Sequence, residues 1–228
     1  MLKYVVAPIH PEGWRFVAIF AAASVLLFWL WRPLGWLGVI ATLWCLYFFR
    51  DPWRVTALRP GLVVAPADGT IVAIGPAKPP AELDMGEAAM LRIAIFLSIF
   101  DVHVNRMPMS GRIRKCAYRA GKFLNASLDK ASDENERMAI RLASAEGADI
   151  AVVQVAGLIA RRIRCSVHEG QEVMAGERFG IIRFGSRAEV YLPLDWTPLV
   201  MEGQRAVGGE TAIADARPGT PPARFWVH

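Results

Sequence analysis

Residues 168–186 read His168-Glu169-Gly170-Gln171-Glu172-Val173-Met174-Ala175-Gly176-Glu177-Arg178-Phe179-Gly180-Ile181-Ile182-Arg183-Phe184-Gly185-Ser186. Apolar residues recur here in short runs, at Val173 and from Phe179 to Phe184, and glycine-bearing turns separate them. A run of five or six residues between turns is the length of a strand and too short for a helix. The stretch predicts a turn at 168–171, a short strand, a second turn at Ala175-Gly176-Glu177, and a strand that ends at Gly185-Ser186.

The same punctuation extends in both directions. Leu62-Val63-Val64, Thr70 to Ile74, Leu91 to Ser98, Arg112 to Tyr118, Met138 to Ala143, Ile150 to Val155, Leu158 to Val167 and Ala188 to Leu192 are β-branched or alternating runs bounded by Gly, Pro and Asp. Ala145 to Asp149 reads as a hairpin turn. The expected class is mostly β, with an apolar helical hairpin at the N-terminus. The rhythm V-x-E-G-x-x-V-x-A-G-E, from Val167 to Glu177, is similar to the biotinyl/lipoyl-carrier type of β-sandwich. From about Gly208 the chain is rich in Pro, Gly and Ala and is expected to be poorly ordered.

The hairpin follows from two uncharged apolar runs, Phe16 to Trp31 and Pro33 to Phe49, divided by Arg32-Pro33. Each is shorter than the roughly 20 residues of an untilted membrane-spanning helix. A cleaved signal peptide is disfavoured, because no small-residue cleavage site follows the first run and a second run does. Trp14, Trp29, Trp31, Trp36 and Trp44 cluster near the run ends, as interfacial aromatics do, and Lys3, Arg15, Arg50 and Arg54 flank the outer ends. These features predict a membrane hairpin, spanning or re-entrant, with both ends on the cytoplasmic side of the cell membrane. The expected division is 1–60, hairpin and linker, and 61–228, a β-rich domain.

The chain of 228 residues carries a formal charge of +5, with a hydrophobic fraction of 54% concentrated at its start. No nucleic-acid motif accompanies the positive charge, so an anionic membrane surface is the more economical partner and nucleic acid is not expected. Cys45, Cys116 and Cys165 form neither a CxxC pair nor a Cys/His cluster. They are expected to be reduced and structural, with no metal site. The basic residues Arg112, Arg114, Lys115, Arg119 and Lys122, and Arg161, Arg162 and Arg164, form two groups of solvated or membrane-facing charge; none is singled out as a phosphate ligand.

Gly185-Ser186 lies between two strands, which excludes the strand-to-helix elbow of a G-x-S-x-G hydrolase. Alone, it is a turn. Its surroundings give it meaning. Arg183-Phe184-Gly185-Ser186-Arg187 with Val190-Tyr191-Leu192-Pro193 closely resembles the processing site of the short, bacterial and archaeal type of phosphatidylserine decarboxylase. Further matching motifs are Pro66-Ala67-Asp68-Gly69, Phe96-Leu97-Ser98, Asp101 to Pro108, Gly121 to Ala126 and Asn135-Glu136-Arg137. The hairpin ending in Phe48-Phe49-Arg50-Asp51-Pro52 fits as well.

The resemblance implies a proenzyme. The Ser186 hydroxyl attacks the Gly185 carbonyl, an ester replaces the amide, and β-elimination followed by hydrolysis leaves a pyruvoyl group and ammonia. A large chain, 1–185, and a small chain, 186–228, follow, the second beginning with the covalent, self-generated pyruvoyl cofactor. That group forms a Schiff base with phosphatidylserine and accepts electrons as carbon dioxide leaves, yielding phosphatidylethanolamine. By the same resemblance Ser186, His103 and Asp68 are the catalytic set, with His103 as general acid/base.

One position departs from the pattern. Longer members have a second histidine where this chain has Arg106, and arginine is too basic to accept a proton at neutral pH. Either His103 serves both steps, or Arg106 acts electrostatically while another group takes the proton. His168 sits in an exposed-looking turn, and His10 and His228 lie in terminal segments. Two readings from other classes compete: a lipoyl or biotinyl carrier, for which Asp129-Lys130-Ala131 supplies the attachment tripeptide, and a non-catalytic membrane-anchored β-domain. The polar run 132–137 after Lys130 argues against the first.

Overall fold

The computed structural model describes residues 7–121, 134–157, 163–183 and 186–217. Helix α1 (Trp14–Leu30) and helix α2 (Arg32–Phe48) form the expected hairpin. Trp31 breaks the run in an extended conformation, and Pro33 follows in the first turn of α2, where its missing N–H costs nothing. The helices pack closely because Gly38 lies against Ser24: a Cβ on Gly38 would stand 2.6 Å from the Ser24 hydroxyl. Ser24 Oγ, the only hydroxyl facing α2 from α1, lies 3.2 Å from Thr42 Oγ1, and each also bonds a carbonyl of its own helix. The hairpin's two ends meet: Ile9 bridges Arg50, His10 N–H donates to the Phe49 carbonyl (2.8 Å) and Asp51 N–H to that of Pro8 (2.7 Å).

The rest is mostly β. Strands β1 (Leu62–Val64), β2 (Gly69–Ala77), β3 (Met90–Leu97), β4 (Val104–Arg106), β5 (Gly111–Arg119), β6 (Arg137–Ser144) and β7 (Asp149–Ala156) precede β8 (Ile163–Cys165), β9 (Glu172–Val173) and β10 (Arg178–Ile182). β11 (Ser186–Leu192), β12 (Thr197–Pro198), β13 (Arg205–Ala206) and β14 (Ala212–Asp215) complete the set. An eight-stranded curled sheet runs β13-β2-β3-β11-β7-β6-β5-β9, and two three-stranded sheets run β1-β14-β12 and β4-β10-β8. All pairings are antiparallel among the described strands. The carrier-like relation belongs to the sequence rhythm alone.

The period of two decides the core. Along β11, Val190 and Leu192 join Ile93, Ile95, Ile140, Leu142, Ile150, Val152 and Phe179 in the main cluster, while Tyr191 joins Ala139, Ala151, Val153, Val155 and Leu83 on the opposite face. The central strands are thus buried on both sides, which explains their nearly continuous apolar runs. Burying each such side chain contributes roughly 1.5–3 kcal/mol.

Two expectations change. Residues 208–217 of the tail are ordered: Ala212–Asp215 is a strand paired with both β1 and β12, and Asp215 is buried with Arg59 and Arg217 on its carboxylate. Ala214 there is a core residue with Ala216 packed against the core, and composition alone made the stretch look poorly ordered. The strand expected at Ala188 to Leu192 also begins two residues earlier, so that Ser186 is its first residue. The strand expected at Leu158 to Val167 is described only at Ile163–Cys165.

Candidate active site

Ser186 opens β11 in the middle of the large sheet, opposite Leu97 of β3 on one side and Ala156 of β7 on the other. It is fully buried, and its Oγ has no hydrogen-bond partner among the described residues. A buried hydroxyl without a partner costs about 1–3 kcal/mol, so such a group calls for a chemical reason. Ser186 shares its sheet face with Ala188, which packs with Ala67 and Leu97 in a small apolar cluster. Gly185, the residue expected to lose its bond to Ser186, lies outside the described residues.

β3 ends at Leu97, and the turn that follows carries the chain to His103. Asp101 holds this turn: its carboxylate accepts Ser98 N–H at 2.8 Å, and Arg205 grips its other oxygen. His103 is fully buried, with Nδ1 3.0 Å from the Asp101 carbonyl. A carbonyl only accepts, so Nδ1 carries the hydrogen and Nε2 keeps the lone pair. Burial lowers the imidazole from 6.5 to about 4, against the opposing pull of Asp101, so His103 is neutral at pH 7. The His103 carbonyl accepts Ile182 N–H at 3.2 Å, which fixes the residue beside the strand leading toward Ser186.

Asp68 follows Ala67, the residue packed against Leu97 and Ala188. Arg54 Nη2 donates to one carboxylate oxygen at 2.6 Å and Gly208 N–H to the other at 2.8 Å. Burial raises the carboxyl above its ordinary value in spite of both donors. Each of the three candidates is thus linked to the end of β3: Ser186 pairs with Leu97, Asp68 adjoins a neighbour of Leu97, and His103 follows the turn after it.

Arg106 feels the charges of Asp68 and Arg54, but its hydrogen bonds go elsewhere. Its guanidinium donates to the carbonyls of Gly176 (3.0 Å) and Pro52 (2.9 Å) and lies 3.3 Å from the Asp51 carboxylate, which also receives Arg178. It clamps the hairpin exit onto the β-domain.

Several contributors escaped the sequence reading. Arg54, read as a flanking membrane charge, is the partner of Asp68. Asp101 shapes the turn before His103. Behind Ser186, the buried Arg187 lies 3.0 Å from Glu189, which also accepts the Tyr191 hydroxyl at 2.8 Å. Alternating charge within an otherwise apolar strand was the available signal. His168 is exposed, as expected, and His10, lowered by burial, caps the three-residue turn Pro11–Gly13 by accepting Glu12 N–H. Among the basic groups, Lys115 pairs with Asp84 and Arg112 with Glu172; Lys122, Arg161, Arg162, Lys130 and His228 lie outside the described residues.

The three cysteines are free, and the described residues hold no cluster of three metal-ligating side chains. A cleft of about 460 Å³ between the 57–60 linker, Met109 and Glu146 is lined by none of Ser186, His103 and Asp68.

Residues 41–214 match the family described as phosphatidylserine decarboxylase. Curated relatives named phosphatidylserine decarboxylase proenzyme are similar over nearly all of both chains. One from Paramagnetospirillum magneticum is 56% identical, covering 94% of this chain and 90% of its own length. That from Cereibacter sphaeroides is 58% identical, with 94% and 93% covered, and that from Nitrobacter winogradskyi is 57% identical, with 92% and 85%. Likeness of this extent favours the decarboxylase over the carrier and the non-catalytic domain, and the chain belongs to the phosphatidylserine decarboxylase family.

Proposed function

We propose that the protein decarboxylates phosphatidylserine to phosphatidylethanolamine, after cutting its own backbone between Gly185 and Ser186. The observation that carries this reading is the fully buried Ser186 hydroxyl, without a hydrogen-bond partner among the described residues, at the first residue of a central strand, in a chain whose relatives are named proenzymes. A hydroxyl in such a place gains nothing as a structural group. As a nucleophile it is held between two neighbouring strands, one residue after the carbonyl it is to attack.

Asp68, with its raised carboxyl, and neutral His103, with Nε2 basic, are the candidate proton acceptors for that attack. Arg54 keeps Asp68 in place, and Asp101 keeps His103 in one tautomer. The products are chains 1–185 and 186–228. The small apolar cradle of Ala67, Leu97 and Ala188 fits a pyruvoyl group at position 186, which supplies an electrophilic carbonyl able to withdraw electrons from the substrate. His103 then holds or returns the proton at the carbon that loses carbon dioxide, in a site from which burial excludes water.

The hairpin seats the enzyme on the cytoplasmic face of the cell membrane. α1 and α2 expose apolar side chains almost all round, with Trp29 93% exposed at the far end, and Pro11–Leu30 is long and apolar enough to cross a bilayer by length and composition. Each 17-residue helix is about 26 Å long, close to the hydrocarbon thickness of about 30 Å. Residues 1–60 form this anchor and 61–228 the catalytic domain. Intact-mass analysis of purified protein tests the chemistry: two chains are expected, the smaller beginning with pyruvoyl at 186. A single 228-residue chain with unmodified Ser186 in active material would overturn it.

A further inference from the structure

The turn Ser98–Asp101 joins the strand opposite Ser186 to His103, and its two middle side chains are apolar and turned outward. Ile99 is 37% exposed and Phe100 60%. The turn is tightly made: Asp101 N–H donates to the Ser98 carbonyl at 3.0 Å and Asp101 carboxylate accepts Ser98 N–H. It is also tied to the end of the hairpin. Arg50 Nη2 donates to the Phe100 carbonyl at 2.7 Å, Nη1 donates to the Tyr47 carbonyl at 2.8 Å, and the guanidinium lies 3.8 Å over the Tyr47 ring. Tyr47, in the last turn of α2, is itself half exposed.

Phe100 therefore stands beside the root of the apolar hairpin, at the level of an aromatic and an arginine suited to a lipid headgroup region. We infer that Ile99 and Phe100 form a second membrane contact, a wedge lying in the bilayer interface at the mouth of the site, along which a diacyl phospholipid passes from the bilayer to the turn carrying His103. This rests on the decarboxylase reading given above. The occupant is a phospholipid bilayer, because the apolar turn is bonded through Arg50 to the end of the hairpin, whose α1 and α2 expose apolar surface, and Arg50 places a cation at that level to match anionic headgroups. A rigid turn stapled by Asp101 and Arg50 holds the wedge at fixed depth relative to the catalytic histidine.

The experiment compares the parent with Phe100→Ser and Phe100→Trp, each assayed on phosphatidylserine in mixed phosphatidylcholine vesicles and on dihexanoyl phosphatidylserine as dissolved monomers. Rates are taken per cleaved chain, so that incomplete processing of a variant does not blur the comparison. Loss of an interfacial Phe should lower kcat/KM on vesicles about tenfold, with monomer turnover within about twofold of the parent and Phe100→Trp near parental on both. Equal falls on both substrates, or no fall on vesicles, would overturn the wedge. Failure of the parent itself to cleave or to turn over either substrate would instead strike the decarboxylase reading.

Discussion

The Phe48 ring, at the end of the hairpin, lies 4.3 Å from the imidazole of His103, centroid to centroid and tilted by 35°. Phe48 is fully buried, in a cluster with Cys45, Phe49, Val102, Val104 and Ile181 that joins hairpin to β-domain. The helical hairpin thus forms one wall of the candidate catalytic site, and its docking keeps His103 dry.

That wall sets a pH dependence. With a folded value near 4 against 6.5 unfolded, His103 binds its proton in the unfolded chain first. Its contribution to stability is complete above about pH 6.5 and is lost as pH falls toward 4, a loss on the order of 3 kcal/mol. Asp68 has the opposite sign: its raised value means that stability is lost as pH rises from 3.8 through the folded value. Denaturant unfolding of Ser186→Ala protein in detergent across pH 4–7 should show stability falling on the acid side, and Ser186→Ala, His103→Gln should flatten the curve. Phe48→Ala should move the acid limb of the decarboxylation rate upward in pH by admitting water to the imidazole.

Arg106→His is expected to impair the protein even though it recreates the second histidine of longer relatives. Arg106 is buried, and its loss leaves two carbonyls unpartnered and Asp51 with Arg178 alone. Breaking a buried ion pair of this kind costs about 3–5 kcal/mol. A fall in thermal midpoint, with cleavage no faster than in the parent, is the expected outcome; accelerated cleavage would show that this position takes the proton after all.

Arg54→Ala should raise the Asp68 carboxyl further and slow appearance of the 1–185 chain, by about tenfold if Asp68 acts as a proton acceptor. The pH profile of cleavage should shift upward, with partial rescue by Arg54→Lys. An unchanged profile would leave Arg54 as a tether only.

Gly69→Ala tests the backbone near Ser186. A Cβ there would stand 2.2 Å from the Phe96 carbonyl and 2.8 Å from Ile95 Cγ2, forcing apart β2 and the strand that holds Leu97. Such overpacking costs about 1–3 kcal/mol, and cleavage should slow with it. Gly75→Ala, on the same strand with nothing within 4 Å, is the control and should behave as the parent in both the melting and the cleavage assays.

Much of the fold was legible in the residues. Period-two runs and Gly turns located β2, β3, β5, β6 and β7, and the Arg32-Pro33 break located the hairpin's bend, because local periodicity reports which faces are buried. β14 was not legible: Ala212 to Asp215 looks like linker until β1 and β12 are seen to cover it. Arg54 and Arg106 were equally opaque. A charge near an apolar run looks interfacial, and only the folded chain reveals that each reaches across more than a dozen residues of sequence to a specific buried group.

Strand rhythm written along the chain determined its class, and the resemblance of its motifs to the decarboxylase family pointed to the bond between 185 and 186 as the one to watch and to Ser186, His103 and Asp68 as the residues to test. The tertiary structure decided what surrounds them. It made Ser186 Oγ a buried group without a described partner, gave His103 its tautomer, and placed Phe48 against the imidazole. It also turned Arg106 into a clamp. Burial and hydrogen-bond partnership depend on residues distant in sequence, so they exist only once the strands have paired and the hairpin has docked.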